Sequence, residues 1–479
     1  MRNLILLPLV AALAACAVGP DYRAPIDAPV TLSQASTPAN VAAFSSASPV
    51  AAWWRQFDDP VLDGLVTRAL DASPDLRIAA SRVAAARAVF GERRLDALPH
   101  VTAGASGTRS IAPQPGVSEQ RIESESLSLG FDAAWEIDLF GRLRRGAEAA
   151  RADLDAERAA LADVQVSLAA EVARNYFELR GVQRRIDVAR STLDSLRKTQ
   201  TLTEQLWEYG AGTELETQSS LARVKAVEAN VPALETQAAV LRHRLAVLLG
   251  ERPGVLDADL APTDVATFAR ALPIGDGTEL LRRRPDVRQA ERRLAAATAR
   301  VGVATADLFP RISLQGFIGF LAGDASDLVR SESKAWSVTP SVSWAAFDLG
   351  SVRARLRAAE ADADGVAANY ERTVLAALED TENSLVAYAN RQAQWRLVQE
   401  QVAAARRATE LAEIRYREGT SDFLTLLDAQ RTQLAADDAL ALAEAGVNVG
   451  VVAVYKALGG WGETNEVAEP VAMVAATRD

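Results

Sequence analysis

Five landmarks occur twice in this chain in the same order, so the fold has to be built from one unit used twice. Ser73-Pro74-Asp75-Leu76-Arg77 returns as Arg284-Pro285-Asp286-Val287-Arg288, and Leu98-Pro99 as Phe309-Pro310, both at an offset of 211. Asp138-Leu139-Phe140-Gly141 returns one residue shorter as Asp348-Leu349-Gly350. Tyr209-Gly210-Ala211-Gly212-Thr213 returns as Tyr416-Arg417-Glu418-Gly419-Thr420 at an offset of 207, and Leu248-Leu249-Gly250 as Ala457-Leu458-Gly459. The repeats fall at 60–260 and 278–462, joined by a linker with Pro and Gly at 261–277.

Inside each repeat the hydrophobic period changes. From Gly141 to Tyr209 there is no proline, and Leu154, Leu161, Val164, Leu168, Val172, Tyr176, Leu179, Val182, Ile186 and Leu193 recur at helical spacings. Such a helix is about 100 Å long at about 1.5 Å per residue, far beyond an ordinary globular element. Tyr370, Val374, Leu378, Leu385, Tyr388, Trp395, Val398 and Val402 continue the same rhythm in the second repeat. Each long helix is expected to end at the Gly-Thr landmark, with Gly212 or Gly419 left-handed, and to be followed by a second helix, giving hairpins over about 141–249 and 350–458.

Ahead of each hairpin the period is two. Leu127, Leu129, Phe131, Ala133 and Trp135 alternate with small or polar residues, as do Trp336, Val338, Pro340, Val342 and Trp344. The expected strands are 101–109 and 124–135, with Ala112-Pro113-Gln114-Pro115-Gly116 in the turn, then 311–320 and 336–346. Four strands cannot close a barrel, and an open edge is forbidden in hydrocarbon because its N–H and C=O groups would go unsatisfied. Three copies supply twelve strands. The expectation is therefore an α+β membrane protein: a trimeric twelve-stranded barrel, four strands per chain, continued by a long periplasmic α-helical barrel. Trp135, Trp336 and Trp344, at strand ends, fit anchoring at the membrane interface.

Residues 1–15 carry one Arg before a short apolar run, the pattern of an export signal that is too short to span a membrane stably. Leu13-Ala14-Ala15-Cys16 resembles a bacterial lipobox, which implies cleavage before Cys16 and acyl chains on its thiol and amine. Ala17 follows, where the inner-membrane retention pattern has Asp, so the resemblance points to the outer membrane. Prolines at 20, 25, 29, 38 and 49 rule out a continuous helix or central strand in 16–59, leaving an extended tail with Trp53-Trp54 as packing anchors.

Other chemistry is scarce. Cys16 is the single cysteine and His100 and His243 the only histidines, which excludes disulfide frameworks, Cys/His zinc clusters and Cys-His catalysis within one chain. No HExxH, GxSxG or GxxxxGK[ST] motif occurs, so no enzyme, cofactor or metal site is expected. A net charge of −11 argues against a nucleic-acid partner.

The chain resembles the outer-membrane factor family of TolC-like channels, in its lipoprotein efflux branch. The resemblance rests on Cys16-Ala17-Val18-Gly19-Pro20-Asp21-Tyr22, on Trp53-Trp54 with Phe57, Asp59 and Pro60, on Arg283-Arg284-Pro285-Asp286-Val287 and on Asp307-Leu308-Phe309-Pro310. Phe347-Asp348-Leu349-Gly350, Leu427-Asp428-Ala429-Gln430-Arg431 and Tyr455-Lys456-Ala457-Leu458-Gly459-Gly460-Trp461 complete a set spanning nearly the whole mature chain. It implies a homotrimeric, passive conduit that docks to a periplasmic adaptor and an inner-membrane pump and passes small-molecule substrates.

Leu424 and Asp428 are four apart and share a helix face, with Arg431 three further on. The resemblance implies an apolar ring at Leu424, an acidic ring at Asp428 and Arg431 in the bonding set that keeps the gate closed. At the offset of 207 the first repeat has Thr217, Leu221 and Val224 there, so the polar lining belongs to the second repeat alone. Gly212, Thr213, Gly419 and Thr420, at the hairpin tips, are the expected adaptor contacts. A conduit for type I protein secretion shares this architecture, and a periplasmic adaptor or coiled-coil scaffold shares the helices without needing the strands. The sequence is silent on 463–479, read as a C-terminal tail.

Overall fold

The structure, a computed structural model, describes residues 17–25, 32–33, 43–114 and 118–460. The signal segment, Cys16 and the tail 463–479 lie outside the described residues. The chain divides into two compact units, each drawn from both halves of the sequence. In their described parts, one holds Met1–Ile26, Ser81–Arg158 and Gln289–Arg372, and the other Asp27–Ala80, Ala159–Arg288 and Thr373–Asp479.

The first unit contains one antiparallel sheet. Strands β1 (His100–Gln114), β2 (Ser118–Ile137), β3 (Arg311–Ala322) and β4 (Lys334–Ser343) lie in sequence order. The two expected hairpins are therefore one sheet, joined by β2–β3 pairing from Leu127↔Ala322 to Ile137↔Ile312. The first hairpin is longer than its alternation suggested. Pro113, assigned to the turn, is part of the β1–β2 ladder, and the register shifts between Pro113 and Gln114. A residue without an N–H is tolerated at such an irregularity on an edge strand. β4 stops at Ser343, short of the expected 346.

Directly paired residues share a face, so the register sorts the sheet. Val101, Phe131, Ile318 and Trp336, with Trp135, Leu314, Val338 and Val342, lie on one face. The other carries Thr102, Ser106, Ser128, Ser313, Ser337, Thr339 and Ser341, tied in part by Ser106–Ser128 and Ser313–Ser341 hydroxyl bonds of 2.7 Å each. Phe131, Ile318, Trp336, Val338 and Val342 are all exposed within one chain, the largest at 77%.

Helices α1 (Pro60–Ala72), α2 (Pro74–Leu95), α3 (Arg142–Glu208) and α4 (Glu214–Leu248) are followed by α5 (Gly277–Arg283), α6 (Pro285–Ala306), α7 (Leu349–Arg417) and α8 (Phe423–Ala457). α1 starts with Pro60 at its first turn and the Asp59 carboxylate accepting from the Val61 and Leu62 N–H groups, so sequence and backbone agree on where it begins. α3 and α7 run 67 and 69 residues, as their lack of proline allows.

The main core lies in the second unit. Leu62, Tyr176, Leu179, Leu245, Tyr388 and Tyr455 are fully buried there, each apolar body adding roughly 1.5–3 kcal/mol of burial. Trp53 stacks on Tyr455 with ring centroids 5.3 Å apart, and Trp54 is buried beside it, as expected of packing anchors. The stretch assigned as linker is also packed: Phe268, Leu272 and Ile274 are buried, and Leu272–Pro273 pairs in parallel with Phe44–Ser45. By length and composition α8 could cross a membrane, but Val447, Val451, Val454 and Tyr455 are spent on this core.

Two of the repeated landmarks meet. Gly459, at φ +84°, lies against the Arg284 backbone, and Gly250, at φ +75°, lies against the Ala72 carbonyl. A Cβ at either would come within about 3.0 Å of backbone atoms, so a larger residue would add a tight contact to the strain of a positive φ. Half-buried Arg284 adds a 2.7 Å bond to the Ala457 carbonyl and ion pairs with Asp286 at 2.8 Å and Asp380 at 3.2 Å.

Candidate functional site

The hairpin tips follow from their closing residues. Gly210 at φ +72° and Gly419 at φ +70° take the left-handed conformation. Around them, Ala211 N–H donates to Leu206 O (2.7 Å) and Gly210 N–H to Trp207 O (2.9 Å). Thr420 N–H likewise donates to Arg415 O (2.9 Å) and Gly419 N–H to Tyr416 O (3.0 Å). Each is the paired bonding of a glycine-closed helix end. The left-handed residue of the first tip is thus Gly210 and not Gly212. Gly212 sits in a tight space instead, since a Cβ there would lie 3.1 Å from Leu206 Cβ and from Trp207 N.

The following helices open differently. Thr213 forms a capping box with Glu216, its hydroxyl accepting from Glu216 N–H while the Glu216 carboxylate accepts from Thr213 N–H. Asp422 caps α8, accepting from Thr425 N–H at 2.7 Å, and this bonding holds its carboxyl below the usual range. Thr420, the sequence counterpart of Thr213, closes α7 by donating to Arg415 O at 3.1 Å. The caps therefore correspond at an offset of 209, as do the ends of α3 and α7 and, near their starts, Gly141 and Gly350.

This corrects the comparison of the repeats. Leu424, Asp428 and Arg431 correspond to Leu215, Ser219 and Ala222, not to Thr217, Leu221 and Val224. The leucine is present at both tips, exposed 71% at Leu215 and 64% at Leu424. The charged pair is confined to α8. Asp428 Oδ1 and Arg431 Nη2 meet at 2.5 Å on a solvent-exposed face.

Behind that face is a polar seam that sequence reasoning missed. Buried Gln430 donates from Nε2 to Thr199 Oγ1 on α3 at 3.0 Å, and its Oε1 has no partner. Thr203 and Ser220 bond at 3.0 Å, and Thr409 donates to Ala429 O at 3.0 Å. Four-residue spacing of Thr199 and Thr203 on one helix was the available signal. Arg223 was also missed: burial first, then Arg431, lowers its pKa, and its Nε is buried without a partner.

In the first unit, Trp135 Nε1 donates to Ala97 O and Trp344 Nε1 to Leu308 O, each at 3.0 Å, fastening the two helix-to-strand turns. Trp336 lies eight residues from Trp344, near the opposite end of β4. That is about 27 Å of strand. The tail reaches the same place. Ala17 packs on Gly141, Val18 N–H donates to Phe140 O at 3.1 Å, Asp21 pairs with buried Arg145 at 2.6 Å, and Tyr22 donates to Glu291 at 2.6 Å. The residue after Cys16 is thus fixed at a strand-to-helix turn.

The family described as outer membrane efflux protein matches residues 65–251 and 277–460. The chain belongs to the outer membrane efflux protein family. As a member of that family it is an outer-membrane exit channel of an efflux system. Among its relatives, the pyoverdine export outer membrane protein OpmQ of Pseudomonas putida is 34% identical over 96% of this chain and 97% of its own. The antibiotic efflux pump outer membrane protein ArpC of Pseudomonas putida is 34% identical over 94% and 93%. The structure of the outer-membrane channel OprN superposes with a TM-score of 0.89, at 51% identity over 93% of this chain and 99% of that one. The open state of the Neisseria gonorrhoeae channel MtrE gives 0.78 at 27% identity over 93% and 98%. The family assigned from the sequence motifs is borne out, and the adaptor or scaffold reading falls away.

Proposed function

We propose that three copies of this chain close one twelve-stranded barrel and conduct small solutes delivered by a periplasmic adaptor and an inner-membrane pump. The observation that carries the reading is the sheet: one apolar face, one hydroxyl face, and edge strands β1 and β4 with no second partner among the described residues. Hydrocarbon does not tolerate such edges, and three sheets joined edge to edge remove them. Relatives named for antibiotic and pyoverdine export support small molecules as cargo. The chain acts as a passive path and has no catalytic role.

In this reading acyl chains on Cys16 enter the membrane beside the pinned Ala17. Gly212, Thr213, Gly419 and Thr420 meet the adaptor. Leu424 forms an apolar ring, and the Asp428–Arg431 pair a charged one, at the periplasmic entrance. An exposed pair of this kind is worth only ~0.2–1 kcal/mol within one chain, so its value lies in repetition around a narrow axis, where it sets charge preference and gating.

The test is particle imaging of detergent-extracted protein together with complementation. Three-fold particles, and restored resistance to small antibiotics in a strain lacking its own channel, are the expected results. Release of a polypeptide in place of drug resistance would move the chain to the secretion class, and asymmetric monomers would end the closure argument. Asp428→Ala and Arg431→Ala are expected to raise single-channel conductance and admit vancomycin.

A further inference from the structure

On the hydroxyl face, two adjacent rows of the sheet stand out. Gly104, Gly130, Gly319 and Ala335 are successive cross-strand partners, leaving a band of wall almost without side chains. The next row is Thr102, Asp132, Phe317 and Ser337. Both large side chains of that row lie down on the glycines. The Phe317 ring comes within 2.8 Å of where a Cβ would stand on Gly130 and 2.9 Å of the same point on Gly319. The Asp132 carboxylate is 3.6 Å from that point on Gly104. Asp132 is exposed and makes no ion pair among the described residues.

From this placement we infer a solute-binding belt in the barrel lumen, formed by Asp132 and Phe317 over the glycine row, that takes organic cations carrying an aromatic ring. The inference rests on the channel reading above, which makes the hydroxyl face the lumen. A ring lying over cross-strand glycines can merely cover exposed backbone, but that role needs no neighbouring acid. Asp132 and Phe317 are direct cross-strand partners, so carboxylate and ring are about one strand spacing, ~5 Å, apart. That separation suits an ammonium group one methylene from a phenyl ring. The glycines let the ring and the carboxylate lie flat against the wall, so that a solute resting on them does not block the path. Three copies repeat the site at one height, and attraction by an exposed carboxylate and a ring face is weak enough for release, as conduction requires.

The experiment is single-channel recording of the full-length trimer in a planar bilayer, with benzyltrimethylammonium added on the barrel side. Tetramethylammonium, which has the charge without the ring, and benzenesulfonate, which has the ring with opposite charge, are the controls. Benzyltrimethylammonium is expected to block at lower concentration than either control. Asp132→Asn and Phe317→Leu should each weaken its block about 2- to 5-fold, while Phe317→Tyr keeps it. Equal block by benzyltrimethylammonium and tetramethylammonium, or unchanged block in both weakening variants, overturns the belt while the channel stands. A wild-type protein that forms no pores overturns the channel reading itself and the belt with it.

Discussion

Asp163, on α3, is a carboxyl placed where its charge is a burden. Burial pushes its pKa up from 3.8, and Asp286 pushes the same way, against Arg284 and Lys456. With the folded pKa raised, its contribution to stability is fully present below the unfolded pKa and is lost as pH rises through the folded one. Asp163→Asn should therefore unfold at a higher temperature than the parent at pH 7.5 and lose that advantage near pH 3, as read by circular dichroism melts. Gln430 offers a different trade. Its replacement by Leu removes one buried bond but also removes an acceptor left without a partner, and Thr199 keeps its bond to Ser195 O at 3.3 Å. Gln430→Leu should change helical stability by less than about 1 kcal/mol. A much larger loss in the assembled protein would show that Oε1 has found a partner there. Neither residue was legible in the sequence, because a lone Asp or Gln in a charged, Ala-rich helix reads as a solvated position until its neighbours are known.

Elements were far more legible than residues, and unevenly so. The long helices end within a residue or two of expectation because glycines and capping side chains mark the ends locally. The strands were found by alternation, yet β2–β3 pairing and the extra length of β1 were not, since neither leaves a local periodic mark. The tips were matched two residues out because Gly-Thr falls at different points of the two turns, Gly212-Thr213 after the closing Gly210 and Gly419-Thr420 at the closing glycine itself. At the tips, Gly210→Ala and Gly419→Ala should each cost about 1–2 kcal/mol, as both sit at positive φ with nothing else nearby. In the sheet, a Cβ on Gly319 would fall 2.3 Å from the Leu129 carbonyl. Gly319→Val should accordingly prevent β2–β3 pairing, giving protein that is not recovered as trimer from the outer membrane on native gels.

The molecule has one native cysteine, Cys16, and lipid on it would leave an otherwise thiol-free background. Pairs of cysteines scanned along β1 and β4 should thus yield covalent dimers and trimers and no intrachain link, readable on a denaturing gel, if the two edges meet only between copies. From Gly141 to Glu208 and from Gly350 to Arg417 the offset is 209 throughout, so α3 and α7 bring their ends to corresponding points. Those ends differ in chemistry, with Trp207, Tyr209 and Thr213 on one and Tyr416, Glu418 and Asp422 on the other. In the proposed trimer this makes a crown of six sockets of two alternating kinds. A ring of six identical partner subunits cannot grip it six times in the same way; it must either hold two poses or bind strongly at only every second socket.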